Sequence, residues 1–340
     1  MKNIYGLSIR QLDEYFEAIL QKTFRSKQVY EWLYKKKIRN FDEMTNIKKE
    51  VIEKIKQEFV MELPLLVDHR SGKDVEKFLF ELNDQQRVEA VLMKHDYGNS
   101  LCVSTQVGCN MGCAFCESGR LKKVRNLSTD EMVTQILLVE DILNIRVSHV
   151  VLMGIGEPFD NYENVLNFIN VINEGKGLDI GARHITISTC GVVPKIRDFM
   201  QQDKQINLAI SLHAPNNEIR NRLMSINKAY PIEELISVLK EYIKKTNRRV
   251  TFEYILLKGI NDSKNCALEL SKLIKGMNAY VNLIPYNETS HIEFEKSPNS
   301  NIMEFYDTLK KNKINVTIRR EFGSEVMAAC GQLRANYEER

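Results

Sequence analysis

From residue 99 onward, short strand-like segments alternate with helical ones. This alternation constrains the possible fold more than any other feature of the sequence. The strand candidates are rich in β-branched residues and read SLCVST, SHVVLM, HITIST, INLAIS, VTFEYILL, YVNLIP and INVTIR. Amphipathic segments separate them, and STDEMVTQILLVEDIL opens with a capping box from Ser128 to Glu131. Repeated βα units predict a parallel sheet with helices on its outer side. Periodicity leaves open whether that sheet stays open or curls into a partial barrel.

Two different segments precede the alternation. Residues 1–65 space their apolar side chains at helical intervals, which predicts a small helical domain. Residues 66–98 are predicted to form a linker and a β-hairpin, because KFLFEL and RVEAVLMKH flank the polar turn NDQQ. The remaining residues, 99–340, then form the α/β core.

Composition and charge exclude some classes of protein. With 43% hydrophobic residues the 340-residue chain can bury a large core, yet it has no apolar run long enough to span a membrane. The N-terminus lacks the apolar region of a secretory signal, so we expect a cytoplasmic protein. Residues 22–58 contain eleven Lys and Arg against six Asp and Glu. That excess fits either a nucleic-acid surface or a solvated helix face.

Polar or glycine-rich residues follow several of the predicted strands. They are Cys109 after the first strand, Gly154–Glu157 after the second, Ser188 on the third, Ser211–His213 on the fourth and Asn287 after the sixth. In parallel α/β folds, ligands bind at the carboxyl ends of the strands. The sequence therefore predicts one shared cavity lined by these residues.

Cys109, Cys113 and Cys116 form a C-x3-C-x2-C loop with glycines at 108 and 112. Seven cysteines in a chain expected in a reducing compartment favour a metal or redox role for such a cluster over a disulfide framework. A zinc site would want a fourth ligand, and none follows nearby. Three cysteines suit an iron–sulfur cubane with one open iron. Zinc, or three buried thiols, are the alternatives.

The cysteine spacing, with Phe115 just before the third cysteine, resembles the cluster loop of the radical S-adenosylmethionine (SAM) superfamily. The segment GIGEP at 154–158 resembles the superfamily motif that approaches the amino end of SAM. Within the superfamily, the chain resembles the RlmN/Cfr family of RNA adenine methyltransferases, and its RlmN branch more than its Cfr branch. The similarity extends over essentially the whole chain, through QVGC, RNL, MGIGEPFDN, ARHITIST, AISLHAPN, INKAYPI, VNLIPYN and AACGQLRAN.

The resemblance implies a role for each matching residue. It makes Cys109, Cys113 and Cys116 the ligands of a [4Fe-4S] cluster. Its SAM-contacting positions fall on Gly156, Glu157, Ser188, Ser211, Leu212, His213 and Asn287. Its catalytic positions fall on Cys330, which carries a methyl group, on Cys102, which closes a disulfide with it, and on Glu89, which accepts a proton.

The resemblance also implies the fold, the reaction and the partners. We expect a partial (β/α)6 barrel with an RNA-binding helical accessory domain at 1–65 and a β-hairpin extension. We expect methylation of adenosine C2 in 23S rRNA and in tRNA, with an electron donor such as flavodoxin or ferredoxin, by a monomer. Adenine C2 is electron-poor and has no lone pair to attack a methyl donor, which is why a radical route is needed.

Three other functions remain open from the sequence. The first is methylation at C8, as in the Cfr branch. The second is a non-enzymatic RNA-binding protein with a structural zinc loop, and the third is radical chemistry on another substrate. The chain also departs from its relatives in the segment ESGRLKKVRNL after the third cysteine and in Cys190, which we interpret as a structural thiol. Cys266 is interpreted as a core residue.

Overall fold

The computed structural model describes residues 1–120, 122–289 and 291–319. Its N-terminal part has three helices and two short strands. They are β1 (Lys2–Asn3), α1 (Ile9–Ala18), α2 (Phe24–Tyr30), α3 (Lys49–Glu58) and β2 (Phe59–Val60). Ser8 caps the start of helix α1, because its hydroxyl accepts a hydrogen bond from the Gln11 backbone N–H. A π-helical turn, Glu31–Lys35, continues α2. The predicted helical segment is thus present.

An antiparallel extension follows the helices. Its strands are β3 (Leu65–Ser71), β4 (Val75–Glu81) and β5 (Arg87–His95). Strands β4 and β5 form the predicted hairpin, with Leu79 opposite Glu89. Strand β3 pairs with β4 and adds a third strand that the sequence pattern did not indicate.

The rest of the described chain alternates strands and helices as predicted. The strands are β6 (Gly98–Cys102), β7 (Gln106–Val107), β8 (Arg125–Asn126), β9 (Val147–Leu152), β10 (Ile185–Thr189), β11 (Asn207–Ser211), β12 (Val250–Leu256), β13 (Ala279–Pro285) and β14 (Val316–Ile318). The helices are α4 (Glu117–Arg120), α5 (Thr129–Leu143), α6 (Tyr162–Ile172), α7 (Val193–Phe199), α8 (Asn217–Leu223), α9 (Ile232–Thr246), α10 (Lys264–Leu273) and α11 (Asn299–Lys311).

One sheet runs through the extension and the core. Its order among the described residues is β14-β13-β12-β11-β10-β9-β6-β5-β4-β3. Every pair from β6 to β14 is parallel, and every pair from β3 to β6 is antiparallel. Six strand-to-helix units followed by β14 confirm the predicted partial (β/α)6 barrel.

The sheet is strongly curved. Arg319, just after β14, donates a hydrogen bond to the Met93 sulfur on β5 at 3.5 Å. Six strands separate β14 from β5 in the sheet. Neighbouring strands lie about 4.8 Å apart, so a flat sheet would hold these residues far from each other. The contact therefore requires the sheet to curl around an interior cavity.

The N-terminal helices and the barrel share one hydrophobic core. A continuous cluster of buried side chains includes Tyr5 and Val29 from the N-terminal part, and Val133 and Phe168 from α5 and α6. Polar contacts add to it: Lys37 pairs with Glu140 at 3.0 Å. The N-terminal part is therefore packed firmly against the barrel.

Within the described residues, no helix is both long and apolar enough to cross a membrane.

Candidate active site

Strand register places four of the predicted site residues on the same, inner face of the curved sheet. Val91 lies opposite Cys102, so Glu89, two residues before Val91, shares the face of Cys102. Cys102 is in register with Val151, which is in register with Thr186. Because side chains alternate along a strand, Ser188 and Ser211 also share that face. The structure thus brings Glu89, Cys102, Ser188 and Ser211 together around one cavity.

The three cysteines of the predicted cluster loop lie between β7 and α4. The loop turns at Gly108 and Gly112, whose φ angles are +76° and +59°. The Ala114 backbone N–H donates to the Leu223 carbonyl at 2.9 Å, which ties the loop to α8. The Cys116 N–H donates to the Cys113 carbonyl at 3.1 Å, which folds the last part of the loop into a tight turn.

The thiols of this loop are electrostatically coupled. Burial, with a smaller contribution from the neighbouring Cys116, raises the pKa of Cys109 to about 11. The pKa of Cys113 is also raised, first by burial and then by Cys116 and Cys109. Such thiols become thiolates only beside a compensating positive charge, which bound iron provides. Three clustered soft donors fit an iron–sulfur cluster.

A single zinc ion and an iron–sulfur cubane require different arrangements of the three sulfurs. In a tetrahedral zinc site each thiolate lies about 2.3 Å from one metal ion, so the sulfurs converge on a point. Among the described residues, no three His, Cys, Asp or Glu side chains are arranged to hold one metal ion. A cubane offers each cysteine its own iron atom, so its ligands surround a larger object.

The GIGEP turn after β9 packs tightly against the strand that precedes the cluster loop. Gly156 has φ of +113°, and a Cβ there would lie 2.6 Å from the Gln106 Cβ. The Glu157 N–H donates to the Gln106 side-chain oxygen at 2.9 Å. The turn is therefore held at the carboxyl end of the barrel beside the cluster loop.

The Glu157 side chain is buried and accepts hydrogen bonds from the backbone of two segments. One carboxylate oxygen accepts the Phe159 N–H at 2.9 Å, and the other accepts the Cys190 N–H at 2.8 Å. Burial raises the pKa of Glu157, and these hydrogen bonds oppose that rise. The carboxylate thus joins the turn after β9 to the end of β10. The Cys190 thiol is buried and hydrogen-bonds to the same carboxylate, and its interpretation as a structural thiol stays a prediction.

His213 is buried at the end of β11. Its Nδ1 accepts the Ile255 N–H at 3.0 Å, and its ring packs edge-to-face on Phe115 at 4.8 Å. Burial, and then the charge of Arg220, lower the pKa of His213 to about 3, so its imidazole is neutral. The contact with Phe115 places His213 against the cluster loop. Its neighbour Leu212 is fully buried.

The sequence pattern missed Arg220, a buried side chain behind the SLH segment. Its guanidinium donates to the carbonyls of Leu212 at 3.2 Å and Cys190 at 2.6 Å, and to the Asn227 side chain at 2.9 Å. It therefore ties together the ends of β10 and β11, which carry predicted SAM contacts. Its position in the last turn of the short helix α8 gave no sequence signal.

Lys77, on β4, is a second residue that the sequence pattern missed. Its Nζ lies 3.1 Å from Glu89 Oε2, and both side chains are buried. Glu89 is therefore not the solvent-facing strand residue that the pattern alone favours. Two sequence signals could have found it. The alternation in VEKFLFE puts Lys77 on one face of β4, and the register of the hairpin puts it diagonally opposite Glu89.

The other residues selected from the sequence lie after β13, in the core, beside the cluster loop or outside the described part of the chain. Asn287 follows β13 and is half-buried. Cys330 lies outside the described residues. Cys266 is buried in the core on α10, as predicted. In the atypical segment after the third cysteine, Glu117 is buried, and one of its carboxylate oxygens accepts a hydrogen bond from Arg120 at 3.2 Å.

Comparison with known proteins identifies the family. A profile described as the radical SAM superfamily matches residues 103–268. Another, described as the ribosomal RNA large subunit methyltransferase N-terminal domain, matches residues 2–61. A Spiroplasma citri protein named "Probable dual-specificity RNA methyltransferase RlmN" is 54% identical, over 99% of this chain and 99% of its own. The chain belongs to the RlmN family.

Other members and solved structures agree. A Listeria welshimeri protein with the same name is 55% identical, over 98% of this chain and 93% of its own. The crystal structure of a radical SAM methyltransferase from Sphaerobacter thermophilus matches with a TM-score of 0.91 and 36% identity, over 98% of this chain and 99% of that one. Streptococcus suis SuiB bound to SAM shares only the fold, with 17% identity and a TM-score of 0.50, over 65% of this chain and 50% of its own. The predicted family, fold and enzyme class are confirmed.

Proposed function

We propose that this RlmN-family enzyme methylates C2 of an adenosine in 23S rRNA and in tRNA, with Cys330 as the carrier of the transferred carbon. The observation that carries the proposal is the shared inner face of Glu89 and Cys102. A base and a thiol on that face stand beside the strand ends that hold the SAM-contacting positions. Relatives that match this chain from end to end are named as dual-specificity RNA methyltransferases.

The cofactors of the proposed reaction are SAM and a [4Fe-4S] cluster held by Cys109, Cys113 and Cys116. Bound together, they supply a carbon-centred radical able to take a hydrogen atom from a methyl group. Gly156, Glu157, Ser188, Ser211, Leu212, His213 and Asn287 surround SAM in this proposal. The Gly156 turn lets the backbone approach SAM closely, and the neutral His213 adds no charge to the site.

Glu89 and Cys102 act on the adenine once it is linked through carbon to the Cys330 sulfur. The Glu89 carboxylate accepts the proton that leaves C2, a general-base step, and the unpaired electron of the adduct would return to the cluster, which leaves a closed-shell thioether. The Cys102 thiolate then attacks the Cys330 sulfur, and the S–C bonding pair stays with the carbon, which takes up a proton and becomes the methyl group. The resulting Cys102–Cys330 disulfide must be reduced before the next turnover. Cys102 is 6% exposed, which protects it from other oxidants.

The RNA reaches this cavity as an unpaired or flipped-out adenosine, because C2 is inaccessible inside a stacked helix. Exposed lysines of the N-terminal helices offer a phosphate-binding surface. They are Lys22, Lys27, Lys35, Lys36, Lys48, Lys49 and Lys54. These side chains would position the RNA, while the cavity selects the base.

The reductant docks beside the cluster loop in this proposal. A cavity of about 640 Å³ opens next to Ala114, between two of the cluster cysteines, and Arg120, Arg222 and Lys258 line it. Glu293 and Glu295 line it too, and Glu295 pairs with Lys258. Arg120 and Arg222 are then the cations that would face an acidic one-electron carrier such as flavodoxin or ferredoxin. We propose further that the enzyme works as a monomer in the cytoplasm.

The proposed function is tested by replacing the carbon carrier. Cys330→Ala should abolish methylation of a 23S rRNA fragment and of tRNA, while the anaerobically reconstituted protein keeps its iron and its brown colour. Mass spectrometry of nucleoside digests measures the product, and iron and sulfide assays measure the cluster. Cys266→Ala, which removes a core thiol on α10, is the matched control and should retain most activity.

Two outcomes would overturn the proposal. Formation of 8-methyladenosine by the parent enzyme would assign the Cfr-type reaction instead. A colourless protein with one bound zinc and no methylation activity would assign a binding protein with a structural metal loop.

A further inference from the structure

A buried lysine stands directly beside the proposed general base. Lys77 on β4 is 0% exposed, and its Nζ lies 3.1 Å from Glu89 Oε2 on β5. Lys77 pairs in register with Val91, and Leu79 pairs with Glu89, so the two charges are diagonal neighbours on the inner face. Both therefore point into the cavity that also contains Cys102.

Stability alone does not account for this pair. Removing two charges from water is expensive, and a well-packed apolar pair of similar volume is often as stable or more so. Two Phe residues, Phe78 and Phe80, occupy the opposite face of β4 as ordinary buried core. A buried lysine–glutamate pair that faces a cavity is instead typical of a functional site.

We infer that Lys77 is a positioning residue that holds the Glu89 carboxylate toward the adenine in the cavity. The inference rests on the proposed role of Glu89. The step that it serves is a proton transfer: the C2–H bond breaks, the proton goes to a Glu89 oxygen, and the bonding pair stays in the ring. The one unpaired electron that radical addition leaves on the adduct would return to the cluster. Glu89 Oε2 contacts Lys77, and this contact orients the carboxylate group for that transfer.

Other charged groups on the described elements around this face are already engaged. On β3, Arg70 and Asp68 pair with each other at 3.1 Å. After β14, Arg319 contacts Met93 on β5. On β12, Glu253 accepts a hydrogen bond from Asn282 at 2.8 Å across to β13. Cys102 on β6 is the titratable thiol nearest in register. Lys77 is thus the cation that directly faces Glu89 from the adjacent strand.

The test replaces Lys77 with an uncharged side chain of similar length. Lys77→Met should slow product formation by at least about 10²-fold, the usual contribution of a general base. Because the carbon is already attached to adenine when the base acts, RNA should accumulate as a covalent adduct on Cys330. Denaturing gels with labelled RNA detect that adduct, and iron content and thermal unfolding show whether the fold and the cluster survive.

A matched control lies on the same hairpin. Lys94 on β5 pairs with the buried Glu76 on β4 at 2.7 Å, but on the opposite face. Lys94→Met also strips a cation from a buried carboxylate of this hairpin, and it should neither trap RNA nor change the rate more than about twofold. An adduct in Lys94→Met as well would mean that loosening the hairpin is enough, and would overturn the inference.

Two further variants separate this inference from the proposed function. Glu89→Gln should trap the same adduct; if it turns over normally, the proposed role of Glu89 fails. If Glu89→Gln traps RNA and Lys77→Met does not, only the inference on Lys77 fails. Lys77→Arg keeps the charge and should restore turnover.

Discussion

At the scale of single residues, the site depends on side chains whose charge and conformation are set by burial. His213 shows this clearly. Its φ of +57° is a left-handed conformation that few non-glycine residues adopt, and its ring accepts a backbone hydrogen bond rather than donating to one. The imidazole must therefore stay unprotonated on Nδ1 for the end of β11 to remain attached to Ile255 on β12.

His213 should make the protein sensitive to acid. A histidine in the unfolded chain has a pKa near 6.5, whereas burial lowers the pKa of His213 to about 3. Because the unfolded chain binds the proton more readily, the stability from the neutral ring is complete above pH 6.5. It declines by about 1.4 kcal/mol per pH unit as the pH falls from 6.5 toward 3.

His213→Asn tests this prediction, since asparagine tolerates the left-handed conformation and can still accept the Ile255 N–H. Urea unfolding at pH 7.5 and pH 5.5 compares the two proteins. The parent should lose about 1.4 kcal/mol more than the variant over this interval. Equal losses would mean that His213 is not held neutral in the folded protein.

At the scale of elements, the turn after β9 couples the barrel to the cluster loop. Gly156→Ala should lower the free energy of unfolding by about 3 kcal/mol and abolish SAM binding. The alanine backbone would be strained at the positive φ of this position, and its methyl group would clash with Gln106. Urea unfolding and equilibrium dialysis with labelled SAM measure the two effects.

Gly276→Ala separates strain from contact in that experiment. Gly276 also has a positive φ, +77°, but a Cβ there would meet nothing within 4 Å. Its replacement should cost about 1 kcal/mol and leave SAM binding intact. Equal effects at the two glycines would show that the close approach to Gln106 is unimportant.

At the scale of the whole molecule, the N-terminal helices are packed into the barrel core and present a basic surface. Replacing Lys22, Lys27 and Lys35 with Glu should raise the KM for RNA without changing kcat. Lysine contacts to RNA phosphates contribute to substrate binding but do not touch the reacting atoms. The slope of log affinity against log salt concentration should fall by about 0.9 for each lysine that contacts a phosphate.

The control variant replaces three lysines with glutamate on another surface, so that the net charge changes by the same amount. Lys240, Lys244 and Lys275 are exposed at the outer side of the barrel. Reversing them to Glu should have little effect on the KM for RNA. A similar rise in KM in both triple variants would show that overall charge, and not the N-terminal surface, governs RNA binding.

The sequence by itself determined the features that are written locally. The βα alternation, the hairpin around NDQQ, the three-cysteine loop and the polar residues at strand ends each depend on neighbours within a few positions. Periodicity and turn chemistry report such short-range relations directly. They were enough to predict a parallel sheet with helices on its outer side and a shared cavity near Ser188 and Ser211. The partial barrel and the role of Cys102 were instead implied by the resemblance to the RlmN/Cfr family.

Only the tertiary structure decided how distant side chains are partnered. Pairing Lys77 with Glu89 needs the exact register of two strands, and the contact of the Glu157 carboxylate with Cys190 spans 33 residues. Arg220 likewise binds the ends of two strands from a neighbouring helix. The charge state and direction of a buried group depend on what surrounds it in space, and a one-dimensional pattern does not carry that information.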